Sequence, residues 1–116
     1  MQQVRINERK NWMEETIMLN IEITPNDNAL LVSLGGRLDT TTAPDLEKRL
    51  STDLEGVTSL TFDLENLDYI SSAGLRVLLS AQKQMNQQGE MKVLHVGETI
   101  MEIFEVTGFT DILTIE

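Results

Sequence analysis

Alternating apolar and polar residues predict a β-hairpin near the start of the regular part of the chain. Apolar residues occupy every second position across residues 19–23, the period of a strand with one buried face. Residues 25–28 (Pro-Asn-Asp-Asn) are dense in turn formers. An apolar, β-favouring run follows at residues 29–34, so the two strands are expected to pair through this turn. The glycines at 35–36 are expected to weaken or bend the second strand.

The pattern then changes to the helical period. Thr42 is a candidate N-cap, followed by an early proline and an acidic residue in the first turn. Leu46, Leu50 and Leu54 recur at spacings of four and give the predicted helix one apolar face. Gly56 is a plausible terminator.

The two periods also assign the remainder of the chain. In order, they predict a strand at 60–64, a loop at 65–70, a helix at 73–88 ended by Gly89, a strand at 91–96, a short helix around 100–104 closed by Gly108, and a short last strand at 112–115. This order, β-β-α-β-α-β-α-β, is typical of an α/β fold with a mixed sheet of four to five strands. Alternation within the strands favours helices mainly on one face of the sheet.

The first seventeen residues differ from the rest. They lack a clear period, contain the only tryptophan (Trp12), and balance three basic against three acidic side chains. We therefore predict a poorly ordered N-terminal extension at 1–17 and a single domain at 18–116.

Composition narrows the classes of function. The chain has 116 residues, no cysteine and one histidine, so disulfides, iron–sulfur clusters and thiolate zinc sites are excluded. Nine basic residues against nineteen acidic ones give a net charge of −10, which argues against nucleic acid and anionic membrane surfaces as partners. No apolar run is long enough to span a bilayer, and no signal-peptide core is visible, so we expect a cytoplasmic protein without membrane insertion.

Signatures of catalysis and metal binding are weak. The chain has no P-loop, nucleophile elbow, zinc-protease motif or dinucleotide-binding glycine pattern. Asp63, Glu65 and Asp68 flank the end of the third strand and would suit a hard cation. With no companion ligand set, a solvated acidic loop is the preferred interpretation. His95 is interpreted as a packed or surface histidine, since no nucleophile is predicted beside it.

The two serines at the start of the second long helix, Ser71 and Ser72, have two interpretations. Serine is a favoured N-cap, so one of them is expected to cap the helix. A serine in this place is also a candidate for phosphorylation, because a phosphate is tolerated by the N-terminal end of the helix dipole. The phosphate would add about −1.5 to −2 charge to the surrounding surface.

Together these segments resemble the STAS domain, the fold shared by bacterial anti-sigma factor antagonists and the cytoplasmic tails of sulphate transporters. The resemblance covers residues 18–116 and rests on Gly36-Arg37-Leu38-Asp39 with Ala43-Pro44 and Leu46, on Leu60-Thr61-Phe62-Asp63-Leu64, on Tyr69-Ile70-Ser71-Ser72-Ala73-Gly74-Leu75, and on Gly108-Phe109 with Ile112. It implies a STAS-like α/β fold.

The resemblance also implies a partner-switching function without enzymatic activity. In the family, the unmodified antagonist binds an anti-sigma factor, usually a serine kinase of the GHKL type, and thereby frees the sigma factor. Phosphorylation at the start of the second helix ends this interaction, and a PP2C-type phosphatase reverses it. ATP and magnesium belong to the kinase, so the chain is expected to need no cofactor, and to be a monomer or weak dimer.

One departure from the family pattern bears on the phosphorylation site. Many members read Asp-Ser-Ser-Gly or Asp-Ser-Thr-Gly, whereas this chain reads Ser71-Ser72-Ala73-Gly74. Ser72 is therefore the predicted acceptor, with Ser71 as second choice. The residues that the resemblance assigns to partner binding are Asp39, Thr40, Asp68, Ser71, Ser72, Ala73, Gly74 and Arg76.

Two alternatives remain at this stage. The chain could be a scaffold or adaptor subunit of a signalling or lipid-transport complex, with binding that is indifferent to phosphorylation. A small hydrolase that uses Ser72 is disfavoured, because no histidine or lysine lies at a recognisable spacing.

Overall fold

The computed structural model describes residues 19–116, and the predicted extension at 1–17 lies outside this range. The elements, in chain order, are β1 (Leu19–Asn26), β2 (Ala29–Leu38), α1 (Ala43–Asp53), β3 (Ser59–Ile70), α2 (Ser72–Gln88), β4 (Glu90–Leu94), α3 (Glu98–Thr107) and a 3₁₀ turn (Phe109–Asp111). The predicted α/β class and the order of the first seven elements are confirmed.

The four strands form one mixed sheet in the order β1-β2-β3-β4. β1 and β2 are antiparallel because only the short turn at Asp27 and Asn28 separates them. Asp27 adopts a left-handed φ of 55°, which aspartate tolerates better than most residues. β2 pairs with β3 and β3 with β4 in parallel, since a helix connects the strands of each pair.

One face of the sheet carries the core. Alternate strand residues are buried beneath the helices and pack with the apolar faces of α1, α2 and α3; the largest fully buried side chains are Phe62, Phe104, Leu34, Leu38, Leu46, Leu54, Leu60, Leu64, Ile70, Leu78, Met85 and Ile100. The intervening strand residues, such as Glu22, Ser33 and Asp63, face the opposite side of the sheet. Helices on one face were predicted, and this is confirmed. No helix within residues 19–116 is long and apolar enough to cross a membrane.

The loop predicted at residues 65–70 is wrong, because β3 continues to Ile70. Two shifts in the β2–β3 register each insert one extra residue into β3, between the partners of Ser33 and Gly35 and between those of Gly36 and Arg37. After Leu64 the next buried residues are therefore Leu67 and Ile70, at steps of three. A β-bulge interrupts the period of two without ending the strand.

Several element boundaries also differ from the prediction. α2 begins at Ser72 instead of Ala73, and β4 covers Glu90–Leu94 instead of 91–96. The last strand predicted at 112–115 is reduced to one parallel bridge between Val93 and Ile115, since the 3₁₀ turn occupies the residues before it. Gly108 closes α3 as predicted, with a left-handed φ of 81°.

Candidate functional site

The adjacent ends of β2 and β3 bring the two serines together with the loop that precedes α1. Leu38 and Ile70 are register partners at the ends of these parallel strands. The backbone N–H of Ser71 donates a hydrogen bond to the carbonyl of Leu38 at 2.9 Å. The start of α2 is therefore fixed to the end of β2, next to the loop that begins at Asp39.

Ser71 and Ser72 have different environments. Ser71 is the N-cap of α2 with extended backbone, and its hydroxyl oxygen is buried with no hydrogen-bond partner among residues 19–116. Ser72 is the first helical residue, and its side chain is exposed. The prediction that one of the two serines caps α2 is confirmed in position, but the Ser71 hydroxyl accepts no hydrogen bond from an N–H of the first turn. The serine hydroxyl available to a protein in solution is that of Ser72.

Gly74 allows the first turn of α2 to approach the ends of the strands. A Cβ atom at this position would lie 2.7 Å from Leu38 Cγ and 2.8 Å from Ile70 Cγ1. Leu38 and Ile70 are themselves almost completely buried, so neither side chain has free space into which it can move. The glycine of the Ser-Ser-Ala-Gly segment therefore has a packing role.

Asp39 organises the loop between β2 and α1. Its carboxylate accepts hydrogen bonds from the backbone N–H groups of Thr41 and Thr42, at 3.0 Å and 3.1 Å. Burial acts to raise the pKa of Asp39, but these hydrogen bonds and the nearby charge of Arg37 outweigh it, and the net pKa is below the usual 3.8.

Thr42 occupies the predicted N-cap position of α1, but its side chain does not cap the helix. Its hydroxyl instead donates to the carbonyl of Arg37 at 2.8 Å and accepts from the N–H of Asp39 at 2.9 Å. The prediction of a threonine cap is therefore wrong in its hydrogen bonding. The hydroxyl holds the chain where it leaves β2.

An arginine and a tyrosine stack beside this loop. The guanidinium carbon of Arg37 lies 4.3 Å from the centre of the Tyr69 ring, and its Nε lies 3.6 Å from Asp39 Oδ2. Arg37 and Tyr69 are register partners on β2 and β3. Asp68 is exposed and is the extra residue of the second bulge, immediately before Tyr69.

The other residues predicted to bind a partner lie in the loop between β2 and α1 or in the first turns of α2. Thr40 is exposed in that loop, and Ala73 is half-buried at the start of α2. Arg76 is exposed one helical turn after Ser72 and forms no salt bridge within residues 19–116. The first turn of α2 has no acidic residue. Asp63 and Glu65, two of the three acids considered above as ligands of a hard cation, belong to a second cluster away from this junction.

This second cluster combines Asp63 and Glu65 of β3 with His95, which follows β4. His95 Nδ1 lies 2.9 Å from Asp63 Oδ1, and the backbone N–H of Glu65 donates to the same oxygen at 3.0 Å. His95 is a surface histidine, one of the two environments predicted for it, but its contact with Asp63 was not predicted. Asp68 is not part of the cluster.

The pairing of Asp63 with His95 shifts both pKa values. The hydrogen bond to Asp63 and the negative charge of that carboxylate raise the pKa of His95 above 6.5. Burial acts to raise the pKa of Asp63, but the bonds from His95 and Glu65 outweigh it and lower the pKa below 3.8. The two residues are 32 positions apart, so their contact depends on the β3–β4 register, which places Asp63 opposite Leu94.

Comparison with known proteins identifies the family. A model of the STAS domain matches residues 20–116. The anti-sigma-B factor antagonist of Staphylococcus aureus (strain NCTC 8325 / PS 47) is 37% identical over 97 residues, which cover 82% of this chain and 90% of that protein. The chain belongs to the STAS domain family. The resemblance inferred from the sequence is thereby confirmed.

Solved structures share the fold of this STAS domain. An anti-sigma factor antagonist from Mycobacterium paratuberculosis superposes with a TM-score of 0.75 at 21% identity, covering 84% of each chain. Unphosphorylated SpoIIAA superposes with a TM-score of 0.74 at 18% identity, covering 84% of this chain and 88% of that one. The phosphorylated form of Bacillus SpoIIAA gives a TM-score of 0.68, also at 18% identity, with 84% and 91% covered. At these identities the similarity shows the fold alone.

Proposed function

We propose that this STAS domain is an anti-sigma factor antagonist whose binding is switched by phosphorylation of Ser72. The observation that carries the proposal is an exposed serine hydroxyl at the first residue of α2, on a junction fixed by the Ser71–Leu38 hydrogen bond. The S. aureus relative is an anti-sigma-B factor antagonist, which supports the general role. SpoIIAA, which shares the fold, occurs in a phosphorylated and an unphosphorylated form.

The accessibility of the hydroxyl groups supports Ser72 over its neighbours. A kinase must reach the oxygen that attacks the γ-phosphorus of ATP. The Ser71 oxygen is buried, and Ala73, at the second position of the family's hydroxyl pair, has no hydroxyl. Phosphorylation of Ser71 would require the start of α2 to open, whereas Ser72 is reached from solvent.

Phosphorylation changes the binding surface without requiring a change of fold. A phosphate adds about −1.5 to −2 charge and three acceptor oxygens. At the first residue of α2 this charge lies next to unpaired backbone N–H groups, where a helix favours anions. An anti-sigma factor that fits a small hydroxyl among Asp39, Thr40 and Asp68 would meet a bulky anion beside existing acidic side chains. Loss of about 2.7 kcal/mol of binding weakens a complex about a hundredfold.

The proposed partners supply the chemistry. In the forward step, a GHKL-type kinase transfers the γ-phosphoryl group of ATP to Ser72 Oγ, a new P–O bond forms, ADP leaves, and the hydroxyl proton is released. A PP2C-type phosphatase hydrolyses that bond and restores the hydroxyl. The STAS domain contributes the acceptor and the docking surface and is not itself an enzyme. Because the exchange depends on ATP, we expect it to take place in the cytoplasm. We also expect the domain to be a monomer or weak dimer, which leaves its docking surface free for the anti-sigma factor.

The phosphorylation site is tested with two matched serine variants. The full chain, Ser72→Ala and Ser71→Ala are incubated with the cognate anti-sigma kinase and ATP, and incorporation is measured by intact mass and peptide mapping. We expect one phosphate on the full chain and on Ser71→Ala, and none on Ser72→Ala. Equal labelling of Ser72→Ala, or loss of labelling only in Ser71→Ala, contradicts the assignment.

The switch is tested by affinity for the unmodified kinase. Ser72→Glu, or the chain phosphorylated on Ser72, should bind about a hundredfold more weakly than the unmodified chain by calorimetry. Ser71→Ala is the control and should bind normally. If phosphorylated and unmodified chains bind equally tightly, the domain is an adaptor that does not respond to phosphorylation, and the proposed switch is wrong.

A further inference from the structure

We propose that Asp63, Glu65 and His95 form a binding site for a borderline divalent cation of the Zn²⁺ class. The cluster lies on the face of the sheet opposite the helices. Asp63 precedes the end of β3 by seven residues, which is roughly 20 Å along a strand, so the cluster is separate from the Ser72 junction. The proposed phosphorylation switch does not involve these three side chains.

The spacing of the ligand atoms fits a single ion. One ligand atom from each residue lies within 4.8 Å of the other two, and His95 Nδ1 and Asp63 Oδ1 are 2.9 Å apart. Zinc bonds of about 2.0–2.2 Å in tetrahedral geometry place neighbouring ligand atoms roughly 3.3 Å apart. The exposed side chain of Glu65 is free to rotate by the small amount that this geometry requires.

The fold holds the three ligands on one face. Asp63 and Glu65 are two residues apart on β3, so both side chains point away from the core, while Leu64 between them is buried. β4 pairs with β3 in parallel as far as Leu94 opposite Asp63. His95 follows the end of β4 with a left-handed φ of 59°, so the alternation of the strand does not turn its side chain toward the core, and it is exposed. The Glu65 N–H also orients the Asp63 carboxylate before any ion binds.

The donor atoms favour the borderline metals. One imidazole nitrogen with two carboxylate oxygens suits Zn²⁺ and its transition-metal neighbours, whereas Mg²⁺ and Ca²⁺ prefer oxygen ligands alone. A polar cavity of about 130 Å³ adjoins the two carboxylates on the side of Glu22, Ser33 and Asn66, and His95 does not line it. Because Glu65 and His95 are exposed, water ligands would reach the ion from solvent. Binding through Nδ1 requires that this nitrogen carry no proton, so the hydrogen-bonding contact between Nδ1 and Asp63 would be replaced by bonds from both atoms to the metal.

The test uses the single histidine of the chain as a probe. Zinc chloride is titrated into the full chain in a non-coordinating buffer, and the imidazole nitrogens are observed by NMR while calorimetry gives stoichiometry and affinity. We expect saturable binding of one ion with a shift of the His95 nitrogens, and no such shift with an excess of Mg²⁺. Asp63→Asn, Glu65→Gln and His95→Asn should each weaken zinc binding at least tenfold. Loss of a residue that only orients a metal ligand already costs about tenfold, and these three residues are proposed as ligands themselves.

Glu90→Gln is the matched control, because Glu90 is an exposed acid on β4 outside the cluster. It should bind zinc like the unmodified chain. A His95 signal that does not move at millimolar zinc overturns the proposal. So does a shift that persists in both Asp63→Asn and Glu65→Gln, because His95 would then bind metal as an isolated surface histidine.

Discussion

Gly74 is the residue whose small size matters most for the geometry of the candidate site. Its missing side chain lets the first turn of α2 contact Leu38 and Ile70, and these two residues hold the Ser71–Ser72 segment against the ends of β2 and β3. The sequence pattern indicated only that a glycine is present here. Its packing role follows from contacts made across the fold.

We predict that Gly74→Ala destabilises the domain by about 2 kcal/mol. Overpacking of a buried contact costs up to about 3 kcal/mol, and alanine regains about 1 kcal/mol of helix propensity. The free energy of unfolding is measured by urea denaturation. Gly97→Ala is the control, because within residues 19–116 no atom beyond its chain neighbours lies within 4 Å of its added Cβ, and its φ of −73° is ordinary. It should change stability by less than about 1 kcal/mol. Equal effects of the two variants would contradict the role of Gly74.

The contribution of Asp39 to the free energy of unfolding should depend on pH. Its pKa is below 3.8 in the folded chain and returns to about 3.8 on unfolding, so the unfolded chain binds the proton first as pH falls. The stabilisation by the Asp39 carboxylate is therefore complete above pH 3.8 and is lost as pH falls through the lower folded value. Asp39→Ala should cost about 1–2 kcal/mol at neutral pH, and less as the solution is acidified.

The measurement is the unfolding free energy of the full chain and of Asp39→Ala over a pH series. Other carboxyl groups titrate in both chains, so the difference between the two isolates Asp39. Asp68→Ala removes an exposed acid for which no hydrogen bond is present within residues 19–116, and it should stay within about 0.5 kcal/mol at every pH. A constant difference between Asp39→Ala and the full chain across the acid range contradicts the lowered pKa.

At the scale of the element, α2 is a helix that is suited to a phosphate at its start. No acidic side chain occupies its first turn, and the N-cap serine makes no capping hydrogen bond. Arg76 lies four residues after Ser72, the spacing at which side chains on one helix face are neighbours. A phosphate on Ser72 therefore meets both the positive end of the helix dipole and a guanidinium group that is unpaired in the described part of the chain.

We predict that phosphorylation of Ser72 stabilises the folded domain by about 1 kcal/mol, the usual size of a charge interaction at a helix end. Urea denaturation of phosphorylated and unmodified chains measures this increment. Arg76→Gln should reduce it, while Arg49→Gln, which removes an exposed arginine from α1, should leave it unchanged. Destabilisation by the phosphate would show that the modification disturbs the start of α2, and an increment that survives Arg76→Gln would exclude the arginine contact.

At the scale of the element, the accuracy of the sequence prediction depended on local regularity. The helices, the first two strands and the first half of β3 were placed because their hydrophobic periods are unbroken over several residues. β3 was ended too early because its two bulges replace the period of two with steps of three after Leu64. The last strand was overpredicted because an apolar run at 112–115 does not reveal that only Ile115 reaches β4.

At the scale of the whole molecule, the sheet separates the two proposed sites on the surface. One face is covered by helices and forms the core, and the proposed switch lies where β2 and β3 end and α2 begins. The opposite face carries polar strand residues and the Asp63–Glu65–His95 cluster.

The sequence alone determined the α/β class, the order of the main elements, the family and the segment that contains the candidate acceptor serine. These depend on local periodicity, capping and turn residues, and on a contiguous motif, all of which can be recognised within one stretch of chain. The tertiary structure decided which serine hydroxyl is exposed, why Gly74 must be small, how far β3 extends, and that His95 meets Asp63. Each of these depends on strand register and packing between residues distant in the chain, and a local pattern carries no information about such contacts.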